Sequence, residues 1–155
     1  MNNSFSQIAL HHWNSYNKRA AKTLEQLTDS KFNTEILPGG NTPSWILGHL
    51  AAIHDHLFPL FGLGDLRYPE LQEMYVHNHA HPQKTPFSKE ELLKVWKDID
   101  GQLDKVLSAY TAEQWLQPHT SVSEEDFAIE PHRNKLNALG SDCTCVQTLI
   151  QLNKE

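Results

Sequence analysis

This chain has little cysteine, no basic run and no long apolar stretch, and each shortage excludes something. The two cysteines, Cys143 and Cys145, are spaced Cys-x-Cys. That is neither a redox Cys-x-x-Cys pair nor a zinc-ribbon pattern, so reduced thiols in a cytoplasmic protein are the expectation. The 13 Lys and Arg residues are scattered among 19 Asp and Glu, for a formal net charge of −6. A nucleic-acid partner needs a basic face, and none is expected. No apolar run reaches the roughly 20 residues of a membrane-spanning helix. Met1-Asn2-Asn3-Ser4-Phe5 has neither a basic flank nor an apolar core, so no export signal is expected. Gly-rich phosphate loops, Ser-His-Asp constellations and Glu-x-x-His motifs are missing too. Strand signals are confined to Ser121-Val122 and Phe127-Ala128-Ile129.

What the chain has is histidine, ten residues in 155, and helical periodicity. The length suits one domain over residues 1–155. A first helix is predicted from Ser4 to Leu27, with Phe5, Ile8, Ala9, Trp13, Tyr16, Ala20, Leu24 and Leu27 inward and Ser4 with Gln7 as a capping box. A second starts after Thr42 as N-cap, with Pro43 at the first helical position, and ends between Pro59 and Gly62. A third opens on the Ser88/Glu91 capping box and buries Leu92, Val95, Trp96, Ile99, Leu103, Val106 and Tyr110. A short helix follows at Thr111 to Leu116. A fourth long one is predicted over Arg133 to Leu152, with a weak middle from Gly140 to Cys145. Four amphipathic helices joined by two long crossings, Leu63 to Phe87 and Gln117 to His132, predict an all-α four-helix bundle.

The second helix carries the most informative residue. Ile46, His49, Leu50, Ile53, Leu57 and Leu60 recur at helical spacing, which places His49 inside the apolar face and predicts a largely buried ring. A polar ring there needs a partner: a backbone carbonyl, a carboxylate, a water or a metal ion. A satisfied core histidine is the commoner outcome. His56 lies two turns on, about 10 Å along the axis, too far to share one ion with His49. His54 points elsewhere, to the surface or to a supporting position. His77, His79 and His81 alternate and would point one way in an extended segment, but a solvated crossing loop is the commoner outcome. His11 and His12 read as rim or surface residues, and Trp45 as core. Asp55 and Asp126 become acid/base candidates only beside a metal.

The segment Pro38-Gly39-Gly40-Asn41-Thr42-Pro43-Ser44-Trp45-Ile46-Leu47-Gly48-His49-Leu50 resembles the second helix of the DinB-like (DinB/YfiT) superfamily. Leu60-Phe61-Gly62-Leu63-Gly64-Asp65, Ser88-x-x-Glu91-Leu92-Leu93 and Ala112-Glu113-Gln114-Trp115-Leu116 fit it as well, and the likeness runs from about Phe5 to Leu139. The resemblance implies a four-helix bundle of DinB/YfiT type, often a homodimer. It also implies a divalent metal, nickel or zinc, acting on a small-molecule substrate in thiol-dependent transferase or hydrolase chemistry. One of three histidine ligands would be His49. The other two belong to a His-x-x-x-His pair near 144 to 148, where this chain has Thr144 and Thr148. The segment after about 139 is therefore atypical. Codon degeneracy permits a His-x-x-x-His over Asp142 to Thr148 one nucleotide out of frame, so a degenerate site and a changed frame both account for the departure. A single imidazole cannot hold zinc or nickel tightly, so weak or absent metal binding is expected. Cys143 and Cys145 are two residues apart, so at most one can join His49 from a helix. The alternative is a non-catalytic bundle serving binding or dimerisation.

Overall fold

The computed structural model describes residues 4–77 and 85–141. They are mostly helical and form no strand, with one isolated bridge pairing Pro118 and Asn134. The long helices are α1 (Ser4–Glu25), α3 (Pro43–Leu60) and α5 (Lys89–Leu107). Short helices are α2 (Asp29–Phe32), α4 (Pro69–Gln72), α6 (Ala112–Leu116) and α7 (Glu124–Ile129), and a final helical stretch, α8, covers 135–141. α4 runs on into a wider π turn, Glu73–His77.

The starts of these helices follow local chemistry. Thr42 accepts the Trp45 N–H at 3.1 Å, with Pro43 next in the chain. Ser88 and Glu91 exchange side-chain-to-backbone bonds at 3.2 and 2.8 Å. Thr111 and Gln114 do the same at 3.2 and 2.8 Å. Each box satisfies donors that a helix start leaves open. α3 stops where Gly62, at φ 71, adopts a left-handed conformation that side chains disfavour. Leu63 N–H then bonds the Phe58 carbonyl at 2.8 Å. The chain turns back and runs antiparallel along α3, pairing residues 67 and 68 with 55, 72 with 52 and 75 with 49.

α3 packs on α5, and α1 covers α5 from another side. α1 and α5 are antiparallel: Asn14 donates to Asp104, Glu25 pairs with Lys97, and Lys89 donates to the Leu27 carbonyl at 2.9 Å. Trp13 of α1 and Trp96 of α5 are fully buried against His54 of α3, and Trp115 of α6 is buried against Phe61 and Tyr110.

Several sequence expectations change. In α1 the inward stripe is Leu10, Trp13, Asn17, Ala20 and Leu24, while Ile8 points outward. Leu10 takes the place Ile8 was expected to fill, and Asn17 is polar, which hid it from a hydrophobicity pattern. Val106 lies on the exposed side of α5, and Leu107 takes its place inside. The crossing after Leu63 is partly helical, with Leu71 and Tyr75 buried against α3. The crossing after Gln117 contains α7, so Phe127-Ala128-Ile129 is helical, not extended. Cys143, Cys145, Thr144, Thr148 and the part of the expected fourth helix from 142 onward lie outside the described residues, as do His79 and His81.

Candidate functional site

α3 is apolar on most of its circumference because neighbours pack on more than one side. Helical spacing alone then leaves the phase of its inner face open. The innermost residues are Leu47, Leu50, Ala51, His54, Asp55 and Phe58, all buried. Ile46, His49 and Ile53 sit at the edge of that face, half-buried. His49 is thus partly buried, at the edge of the inner face and not at its centre, while the surface placement considered for His54 needs correction, since it is fully buried.

The edge position gives His49 a defined geometry. Its Nδ1 lies 2.9 Å from the Tyr75 main-chain carbonyl. A carbonyl only accepts, so Nδ1 carries the proton and donates it. In the neutral ring this leaves Nε2 with a bare lone pair. The Trp45 ring stacks on the imidazole, with centroids 4.9 Å apart and planes 9° from parallel. Trp45 is partly buried, packing against the core as expected while its ring also covers His49. Tyr75 rests directly on Gly48, with its ring where a β-carbon would otherwise stand.

His54 belongs to a second cluster. Its Nδ1 lies 2.5 Å from Asp100 Oδ1 and 2.9 Å from the Trp96 indole nitrogen. Nδ1 has a single in-plane bonding position, so it cannot serve both neighbours equally. Two bare lone pairs would repel at 2.5 Å, so a proton sits between His54 and Asp100, and Asp100 is the principal partner. Trp13 packs on the other side of the ring, centroids 5.4 Å apart. A ring with no exposure cannot meet a substrate. The cluster ties α1, α3 and α5 together.

Asp55 is fully buried, and its two carboxylate oxygens accept the backbone N–H groups of Arg67 and Tyr68, each at 2.9 Å. Each oxygen thus takes one N–H of the turn, and the carboxylate serves to hold that turn against α3. Asp126 is exposed in the first turn of α7. His11, His12 and His56 are exposed, and exposed His77 bonds Glu73 at 3.0 Å within the π turn, so it is not in an extended segment.

Among the described residues no three His, Cys, Asp or Glu side chains come together as a metal site. His49 Nε2 fits one coordination position, with the oriented tautomer that metal-bound imidazoles adopt. The described residues do not close a site around it.

A family model for the DinB superfamily matches residues 14–137. The chain belongs to the DinB superfamily. That match stops ahead of Thr144 and Thr148, where the DinB resemblance asks for histidines. The chain is also 30% identical over 96 residues to a ferrochelatase of Francisella tularensis subsp. novicida. The matched stretch is 62% of this chain but 28% of the ferrochelatase. No helix among the described residues is long and apolar enough to cross a membrane.

The sequence had no signal for Tyr75, whose role depends on a tertiary contact. Gly48 did leave one. A glycine inside a helix costs about 1 kcal/mol relative to alanine, which points to a close neighbour.

Proposed function

We propose that this DinB-superfamily protein works through His49 Nε2, offered at the edge of α3 to a divalent metal, zinc or nickel, or to a small molecule. The observation that carries this reading is the Nδ1 bond to the Tyr75 carbonyl, which places the proton on Nδ1 and leaves the lone pair on Nε2. The partial likeness to a ferrochelatase supports a metal-related role at that coarse level. The arrangement we propose is the four-helix bundle, with α1, α3 and α5 as three of its helices and α8 opening the fourth. A second copy of this chain is the proposed macromolecular partner, on the family resemblance.

With threonine at 144 and 148, His49 is one strong nitrogen ligand where a tight site needs three or four. We therefore read the chain as a weak metal binder with little transferase or hydrolase turnover. The test is a competition titration of untagged protein with zinc and with nickel against a chromophoric chelator. Weak binding that weakens further in His49→Ala is the expected result. Stoichiometric metal retained through dialysis against a mild chelator, and lost in His49→Ala, would overturn the weak-binding part. Cys143, Cys145, a loop histidine or a second subunit would then supply the other ligands.

A further inference from the structure

We propose that Tyr75, seated on Gly48, is a positioning residue that selects which imidazole nitrogen of His49 faces the site. The inference rests on the reading of His49 Nε2 as the working atom. It adds how that atom is chosen.

The argument begins at Gly48. A β-carbon there would stand 2.2 Å from Tyr75 Cζ, 2.3 Å from Cε1 and 2.6 Å from Cε2. The ring therefore lies against the α3 backbone at a distance only glycine permits. Helix propensity opposes glycine in the middle of α3, so the close approach is what the residue provides. Tyr75 is 2% exposed, and its seat fixes its main chain as well as its ring.

That main chain carries the acceptor. Tyr75 lies at the middle of the π segment. Its carbonyl takes the Nδ1 proton of His49 at 2.9 Å. Two further ties hold the segment, one to α3 and one to the chain ahead of α5. The Gln72 amide donates to the Ala52 carbonyl, and the Tyr75 hydroxyl bonds Thr85 Oγ1. Thr85 in turn accepts the Phe87 N–H at 3.1 Å, which links this contact to the start of α5. On the helix side, the stacked Trp45 ring limits rotation of the imidazole. One residue thus reads the backbone of Gly48 with its ring and sets the tautomer of its neighbour with its carbonyl.

The readout is the tautomer itself, which a merely structural role for Tyr75 would not move. Protein labelled with nitrogen-15 in histidine is examined by long-range proton–nitrogen correlation, at a pH high enough to leave the ring neutral. The wild-type chain is expected to show His49 with the proton on Nδ1 and a bare Nε2. Gly48→Ala displaces the Tyr75 ring and is expected to replace this single pattern with a mixture of tautomers. Tyr75→Phe keeps ring and carbonyl and is expected to leave the pattern intact. Should Gly48→Ala fail to fold by circular dichroism, Tyr75→Ala removes the ring without adding a clash, and the same mixture is expected. A proton on Nε2 in the wild-type protein overturns the proposal, as does an unchanged His49 pattern in the folded displaced variant. The zinc titration on the same samples separates the two claims. If the tautomer responds while zinc binding ignores His49, the positioning stands and the reading of His49 as a metal ligand falls.

Discussion

Two polar residues in the core show how much a single position decides. Asn17 is 5% exposed, and neither its Nδ2 nor its Oδ1 has a hydrogen-bond partner among the described residues. An unsatisfied buried amide costs about 1–3 kcal/mol. Asn17→Leu is therefore expected to raise stability by about that amount in urea unfolding. A lower midpoint would mean that the amide is satisfied in the folded protein. His54 and Asp100 are the opposite case, a fully buried ring paired with a carboxylate that is 18% exposed. Removing one partner leaves the other uncompensated, so Asp100→Ala is expected to lower stability by about 3 kcal/mol. A loss within 0.5 kcal/mol or so, the usual range for a surface site, would show that the pair is not a clamp.

At the scale of elements, the reversal after α3 depends on one carboxylate. Asp55 reaches from α3 to the Arg67 and Tyr68 amides, which immediately precede α4. Arg67 also lies over the Phe58 ring, 4.7 Å from its centroid, so the turn is held from two directions. Hydrogen bonds to a charged acceptor contribute about 1.5–3 kcal/mol each. Asp55→Ala is expected to destabilise the protein by about 3 kcal/mol. Amide hydrogen exchange at Arg67 and Tyr68 should accelerate more than exchange in α5. Equal acceleration everywhere would show that Asp55 acts on global stability and not on the turn. Because the turn sets the register of residues 72 and 75 against α3, the same variant should disturb His49.

For the whole molecule, pH is the informative variable. Burial, reinforced by Arg133, pulls the His119 pKa below its usual value. The unfolded chain then binds more protons, so the stability present above the ordinary histidine range falls as pH drops through it. Glu91, lowered by its backbone and side-chain bonds to Ser88, acts in the same direction in the carboxylate range. On the alkaline side, burial raises Tyr68, Tyr75 and Tyr110. Their stabilising preference for the neutral phenol is kept below the unfolded value and lost as pH climbs through the folded one. Lys135, lowered by burial, opposes them there. Unfolding midpoints measured across pH should peak between the histidine and tyrosine ranges. A midpoint that keeps rising on acidification below the histidine range would contradict these directions.

Sequence by itself determined the helical class, the starts at Thr42, Ser88 and Thr111, and the break at Gly62, because caps, prolines and glycines act on their own few neighbours. It also singled out His49 through a family resemblance that the match over residues 14–137 upholds. Only the tertiary structure decided the phase of α3. A helix enclosed on several sides is apolar almost all round, so spacing could not say whether His49 or His54 lies innermost. Tertiary packing likewise assigned Asp55 to the turn and Asp100 to His54, partners 12 and 46 residues apart. It also brought Tyr75 onto Gly48. Each of these contacts depends on how the chain returns along α3 and α5, and no local rule of spacing or propensity encodes that return.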